Sequence, residues 1–387
     1  MRLLHTSDWH LGRGLHGLDL HDAQSQAVRQ IADLVASRDV DVVLISGDVF
    51  DRAVPPVAAV RLWDDALRAL AEQVPVIVIS GNHDSAVRLG AGADLYRDGI
   101  HLSTNPAEVG RPVVLHDAHG PVAIYPIPFL DPEIVRHTLA DGDEPLARSH
   151  AAVLGAAMSR VRTDLAGCDD GTRAVVMAHA FVTSGASTEV SDSERDIRVG
   201  GVDSVHPSVF DGVHYVALGH LHGAQRVAGD RVRYSGSPLR YSFSEVHQHK
   251  QVLLVDLDGR GDVEVEPVEL TQPRGMAVIG ATFDEVMTSP KLGVHADDWV
   301  QVTVTDAERP SELRQRVVER FPHALSIRHE PTSGPLAAGA AAQVRVPQAP
   351  HEVVAAFVHY VTGGHITEAE LAAFNDAYDA ARNEGAA

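Results

Sequence analysis

Asp8 and His10 stand two residues apart near the start of the chain, and His220 and His222 repeat that spacing far downstream. Between them lie Gly47-Asp48, Gly81-Asn82-His83-Asp84 and His179. In extended chain, residues i and i+2 point the same way, so each pair can reach one ion. Asp48 carries two oxygens that could bridge two cations roughly 3.5–4 Å apart. Asn82 offers a neutral carbonyl oxygen, which limits negative charge at the site and leaves room for an anionic substrate. The set supplies oxygens from Asp8, Asp48 and Asn82 and imidazoles from His10, His179, His220 and His222. That suffices for two divalent cations and leaves His83 as a candidate acid. Mixed nitrogen and oxygen donors without thiolate suit Mn²⁺ or another first-row ion.

Strands must hold these motifs. Residues 3–6 read as a short strand ending at Asp8. Val40–Ser46 is a β-branched apolar run ending at Gly47-Asp48, and Val74–Ser80 is another ending at Gly81-Asn82-His83-Asp84. Residues 21–38 predict a helix with Ala27, Ile31, Leu34 and Val35 on one face, and 57–72 a second with Val60, Trp63, Leu67 and Leu70 aligned. Alternating strand and helix implies a sheet covered on both faces. The polar motifs sit just past the strands' C-terminal ends, where such sheets place their sites. Downstream, 112–128 predicts a hairpin around His119-Gly120, 145–165 an amphipathic helix, and Arg173–Ala178 and His214–Leu218 strands leading to His179 and His220. Val232–Tyr234 and Gln251–Leu257 are further strands. Residues 183–204 are Ser/Asp-rich and read as a surface loop.

Composition changes near Gln272-Pro273-Arg274. Residues 275–330 mix strands (276–282, 299–304) with a helix (311–320), a small α+β unit. Pro331–Ala342 is Pro/Gly/Ala-rich and reads as a linker, and 350–384 as two helices split by Gly363-Gly364. The expected division is 1–271, 272–330, a linker at 331–349 and a helical tail at 350–387.

The chain has 387 residues, 44% of them hydrophobic, enough for a sizeable core. Cys168 stands alone, which excludes an intramolecular disulfide and points to a reducing compartment. No signal-like apolar region or long apolar run is present, so a cytoplasmic protein without a membrane anchor is expected. The net charge of −21 argues against independent, tight binding to nucleic acid. Two divalent cations and a partner subunit would offset it, so DNA is not excluded as substrate.

Taken singly, each motif has an ordinary reading as a turn, a cap or a core histidine. All of them together, each after a predicted strand, are harder to assign to chance. The set resembles the calcineurin-like metallophosphoesterase superfamily. More narrowly, Thr6-Ser7-Asp8-Trp9-His10-Leu11-Gly12, Gly47-Asp48-Val49-Phe50-Asp51, Gly219-His220-Leu221-His222 and the run Tyr234 to Phe243 resemble the SbcD family of bacterial exonuclease subunits, counterparts of the nuclease in double-strand-break repair. The likeness covers nearly the whole chain. It implies an α/β fold: a two-sheet metallophosphoesterase sandwich flanked by helices, with a small α+β capping domain and a C-terminal helical tail.

Residue by residue, the resemblance implies that Asp8, His10, Asp48 and His222 hold one metal and that Asp48, Asn82, His179 and His220 hold the other. His83 would act on the scissile phosphodiester as proton donor or transition-state stabiliser. Asp51 would orient it through a carboxylate–imidazole hydrogen bond. Water activated between two Mn²⁺ ions would attack phosphorus in line with the leaving oxygen. The implied partners are an SbcC-type coiled-coil ATPase docked by the tail, with Phe357, Leu371 and Phe374 as anchors, DNA (double-stranded ends, hairpins, single strands), and a second copy in a homodimer. Two other readings share the ligands: a stand-alone phosphoesterase of small molecules such as cyclic nucleotides, and a scaffold whose metal site is idle. The extra domain and tail argue against the first, and the intact ligand set against the second.

Overall fold

The computed structural model describes residues 1–96, 98–185, 188–194, 204–331, 354, 358, 366–367 and 369–375. Two six-stranded sheets dominate it. The first runs in the order Val263–Glu269, Gln251–Leu257, Arg2–Thr6, Val42–Ser46, Val76–Ile79, Ile100–Ser103, with the last four strands parallel. The second runs Gln225–Ala228, Val232–Tyr234, Tyr215–Gly219, Arg173–His179, Gly120–Ile127, Val113–Asp117, and its four inner strands are parallel.

Side-chain alternation sets the layers. Leu3, Val42, Leu44, Ile77 and Ile79 of the first sheet pack against Val122, Ile124, Val175, Met177 and Tyr215 of the second. Leu4, Val43, Ile45 and Val78 point the other way, onto helices His21–Ser37 and Val57–Ala71. The far face of the second sheet takes helix His150–Leu165 through Leu154, Met158 and Val161. The central strands are thus buried on both faces, which is why they read as unbroken apolar runs. The expected two-sheet sandwich flanked by helices is the observed architecture.

Some boundaries and faces differ from expectation. Helix 150–165 starts later than predicted because Ser149 caps it, accepting from the Ala152 N–H at 3.2 Å. Val60 lies on the exposed side of its helix, while Ala59, Leu62 and Trp63 face the core. Strands Ile100–Ser103, Gln225–Ala228 and Val263–Glu269 add edges that the sequence reading did not name.

By contacts the chain forms two units, Met1–Thr305 with Pro310–His329, and Asp306–Arg309 with Glu330–Ala387. In the first unit, Met276–Ala281, Trp299–Val304 and Ala324–His329 make a parallel three-stranded sheet with its own core around Val286, Val302, Val317 and Phe321. Met276, Trp299 and Leu325 also share a cluster with Leu15, Leu20, Leu239, Tyr241 and Phe243. In the second unit, the described helical residues 369–375 follow Thr367, whose hydroxyl accepts from the Glu370 N–H while the Glu370 carboxylate accepts from the Thr367 N–H. Leu371 and Phe374 are half-buried there. Residues 332–349, most of the tail and Phe357 lie outside the described residues. No helix among the described residues is long and apolar enough to cross a membrane.

Candidate metal centre

The C-terminal ends of the inner parallel strands of both sheets meet at one point, and there the chain bends sharply. Asp8 (φ 56°), His10 (φ 44°), Asp48 (φ 50°) and His220 (φ 112°) all have positive φ, which non-glycine residues rarely adopt. Such strain persists where surrounding structure fixes it, and it clusters at functional sites. Glycines allow the close approach. A Cβ on Gly81 would strike the Asp48 carboxylate, and one on Gly219 would strike the Ser46 carbonyl.

All seven expected ligands converge here. His10 Nε2 lies 2.9 Å from His222 Nε2. On the other side, Asn82 Oδ1 lies 2.9 Å from His179 Nε2 and 3.2 Å from His220 Nδ1. Asp48 Oδ2 stands between the two groups, 3.6 Å from His10 Nε2 and 3.5 Å from His179 Nε2. Its other oxygen accepts the His83 N–H at 2.8 Å. One oxygen of Asp48, rather than both, therefore faces both groups. Asp8, fully buried, accepts the His220 N–H through its two oxygens at 3.1 and 3.2 Å and groups with His10 and His222.

This donor set fits cations. The carbonyl of Ser46 can only accept, so His179 Nδ1, 2.9 Å away, must donate to it. That turns Nε2 to the Asn82 oxygen at 2.9 Å, two donor atoms that a shared cation could take. Burial drives the His10 and His220 rings well below their ordinary range and His222 down to about 4, so all three stay neutral, the form that binds metal. Burial pushes the Asp8 carboxyl up to about 8, and burial with the nearby Asp84 charge pushes Asp48 well up. A divalent cation would supply the missing positive charge.

His83 is half-buried beside this cluster, its ring 4.7 Å from that of His10. Its Nδ1 lies 2.7 Å from the backbone carbonyl of Asp51 and so donates to it. The expected carboxylate–imidazole bond is replaced by this main-chain one. The Asp51 carboxylate instead stands 3.4 Å from Arg13 Nη1 and 4.0 Å from His10 Nδ1.

Residues 1–224 match the family model described as calcineurin-like phosphoesterase. The chain belongs to that family. Residues 272–361 match the SbcD C-terminal model, described as the type 5 capsule protein repressor C-terminal domain. The SbcD subunit of nuclease SbcCD from Bacillus subtilis is 32% identical over 343 residues, covering 85% of this chain and 85% of that protein. This phosphoesterase is therefore of the SbcD type. Among solved structures, TT1561 of Thermus thermophilus is 15% identical with a TM-score of 0.38, covering 69% of this chain and 99% of its own. GAP50 of Plasmodium is 11% identical with a TM-score of 0.37, covering 87% and 98%. Neither score is high enough to bear on the site.

Two supports of the phosphoesterase site were not foreseen from sequence. Asp84 accepts the main-chain N–H groups of Val49 (3.1 Å), Phe50 (2.9 Å) and Gly81 (2.9 Å), tying together the loops that carry Asp48 and Asn82. Burial pushes its carboxyl up, and those three N–H groups oppose the shift. The second support lies behind His222. Residues 183–204 are not surface loop throughout: Ser191 and Ser193 are buried, and Glu194 accepts the His222 N–H at 2.6 Å. Ser193 Oγ and Glu245 Oε1 lie 2.6 and 3.1 Å from His222 Nδ1. A Ser-rich stretch gave no signal for this. Lys250, one of two lysines among 32 basic residues, was the available hint.

Proposed function

We propose that this chain is the nuclease subunit of an SbcC–SbcD type complex, hydrolysing DNA phosphodiesters with two divalent cations, Mn²⁺ in preference. It is a metal-dependent nuclease. The observation that carries the two-cation reading is Asp48 Oδ2, about equally far from two separate clusters of donor atoms. Asp8, His10 and His222 would hold one cation, and Asn82, His179 and His220 the other, with Asp48 shared. Nitrogen and oxygen donors without sulfur suit Mn²⁺. Bound there, the cations would make water acidic enough to attack at neutral pH and would neutralise the phosphoryl oxygens.

The protein's own groups do the rest. His83, held by the Asp51 carbonyl through Nδ1, would present Nε2 to the scissile phosphate and its leaving oxygen. Asp84 and the strained strand ends keep the ligands in place before substrate arrives. The net charge of −21 favours a division of labour in which cations and a partner supply the positive field for DNA. Residues 1–271 form the nuclease body and 272–330 a cap over DNA ends. The linker at 331–349 tethers the tail at 350–387, which docks on the coiled-coil ATPase. The nuclease bodies pair as a homodimer in the cytoplasm.

The test is cleavage of linear and hairpin DNA in Mn²⁺, with and without the ATPase. Cleavage that stops with chelator and is stimulated by partner and ATP is expected. Cleavage that survives chelation would remove the metal mechanism. Activity confined to cyclic nucleotides would favour a small-molecule phosphoesterase.

A further inference from the structure

Behind His222 lies an ion pair that core packing does not require. Lys250 and Glu245 are 1% and 0% exposed, and Lys250 Nζ stands 2.6 Å from Glu245 Oε2. Burying two charges is costly unless every lone pair and proton is used. Here they are. Lys250 Nζ also reaches Gln248 Oε1 at 2.8 Å, the His222 carbonyl at 2.9 Å and Ser237 Oγ at 2.9 Å. The Ser237 hydroxyl gives its proton to the Leu239 carbonyl, so towards Lys250 it accepts. Acceptors on several sides suit an ammonium group and not a planar guanidinium, which accounts for a lysine in a chain whose basic residues are nearly all arginine.

We propose that the Lys250–Glu245 pair is a positioning device that fixes the tautomer of His222 and so sets the affinity of the cation shared by Asp8, His10 and His222. This rests on the two-cation reading above. The protons can be counted. An ionised Glu245 only accepts. Its Oε1 takes the Ser191 hydroxyl at 2.8 Å and the Ser193 hydroxyl. His222 Nδ1, 3.1 Å from the same oxygen, must therefore be N–H. Ser193 has spent its single proton, so its oxygen also accepts from Nδ1, at 2.6 Å. His222 Nε2 is left with a bare lone pair, directed to where His10 Nε2 converges. The backbone is clasped as well: Glu194 takes the His222 N–H and Lys250 donates to its carbonyl. Partners of this kind behind a metal-ligating histidine typically change metal affinity about 10–100-fold.

The experiment is titration of the full-length protein with Mn²⁺, reading free ion by electron paramagnetic resonance. The proteins are wild type, Glu245→Gln and Ser193→Ala, each checked for folding by circular dichroism. Wild type should hold two ions. In Glu245→Gln one ion should bind about 10–100-fold more weakly while the other changes less than about threefold. Ser193→Ala, which removes one hydroxyl, should show a smaller loss of the same single ion. Equal weakening of both ions, or no weakening, overturns the proposal. If Glu245→Gln fails to fold, Ser193→Ala decides: selective weakening supports it, and unchanged affinity overturns it. A wild type that holds only one ion would defeat the two-cation reading instead. The effect of Glu245→Gln on that remaining ion would still decide this proposal.

Discussion

Asp84 touches no expected cation ligand through its side chain, yet its loss should be among the most damaging single changes in the nuclease body. Its carboxylate accepts three main-chain N–H groups, from Val49, Phe50 and Gly81, all buried residues. A buried donor left without a partner costs about 1–3 kcal/mol. Asp84→Ala orphans three, and relaxation with water entry keeps the sum near the low end, about 3–5 kcal/mol. Asp84→Asn separates shape from charge. One carboxylate oxygen serves both Val49 and Gly81 and the other serves Phe50. An amide can therefore keep two bonds while its NH₂ faces the third donor, for a loss of about 1–3 kcal/mol. The assay is urea unfolding at pH 7 in chelator, so that cation binding does not mask the change. Both variants should also weaken Mn²⁺ binding, because the clasped loops carry Asp48 and Asn82. A loss below about 1 kcal/mol for Asp84→Ala, or equal losses for Ala and Asn, would refute this account of Asp84.

Four further outcomes are expected. His83→Ala should retain two Mn²⁺ ions and DNA affinity while cleavage falls about 10²–10⁴-fold; loss of an ion would make His83 a ligand. Asp51→Asn should change cleavage far less, since the main chain holds His83, and a deficit matching that of His83→Ala would restore a role for the carboxylate. Burial holds His5 down at about 3, against an ordinary 6.5, between Tyr215 and the Leu218 carbonyl. Below about 6.5 the unfolded chain gains a proton at this residue that the folded one refuses, so His5 alone should contribute a fall in stability on acidification towards about 3, with a slope approaching 1.4 kcal/mol per pH unit. Unfolding midpoints in chelator between pH 7 and 5, for wild type and His5→Gln, measure this; an equally steep decline in the variant would assign the effect to other groups. A chain truncated after Gln343 should fold, bind Mn²⁺ and keep basal cleavage, but lose ATPase capture in a pull-down. Equal capture would remove the tail as the docking element.

The parts of the fold that were legible are those where one physical constraint dominates. Strands buried on both faces, such as Val42–Ser46 and Arg173–His179, carry unbroken apolar runs in their interiors, and each ends at a polar motif. Edge strands obey weaker constraints. Val263–Glu269 alternates valine and glutamate around Pro267, and Ile100–Ser103 has only four residues, so a search for long apolar runs passes over them. The convergence of these seven side chains was legible because strand ends bring the motifs to one place, although Asp8, His10 and His220 have positive φ rather than extended backbone, and His220 and His222 join different groups. What supports the ligands was not. Asp84 acts on main-chain groups 35 positions away, and Glu245 acts on His222 across 23. Main-chain acceptance leaves no residue-type signature, which is also why the carbonyl of Asp51, rather than its carboxylate, holds His83.

The central claim is that two cations share Asp48. It is tested most directly by an anomalous difference map from crystals grown in Mn²⁺. The account predicts two peaks about 3.5–4 Å apart, both within ligand distance of Asp48. One should be completed by Asp8, His10 and His222, the other by Asn82, His179 and His220. A single peak, or two peaks of which only one touches Asp48, would contradict it.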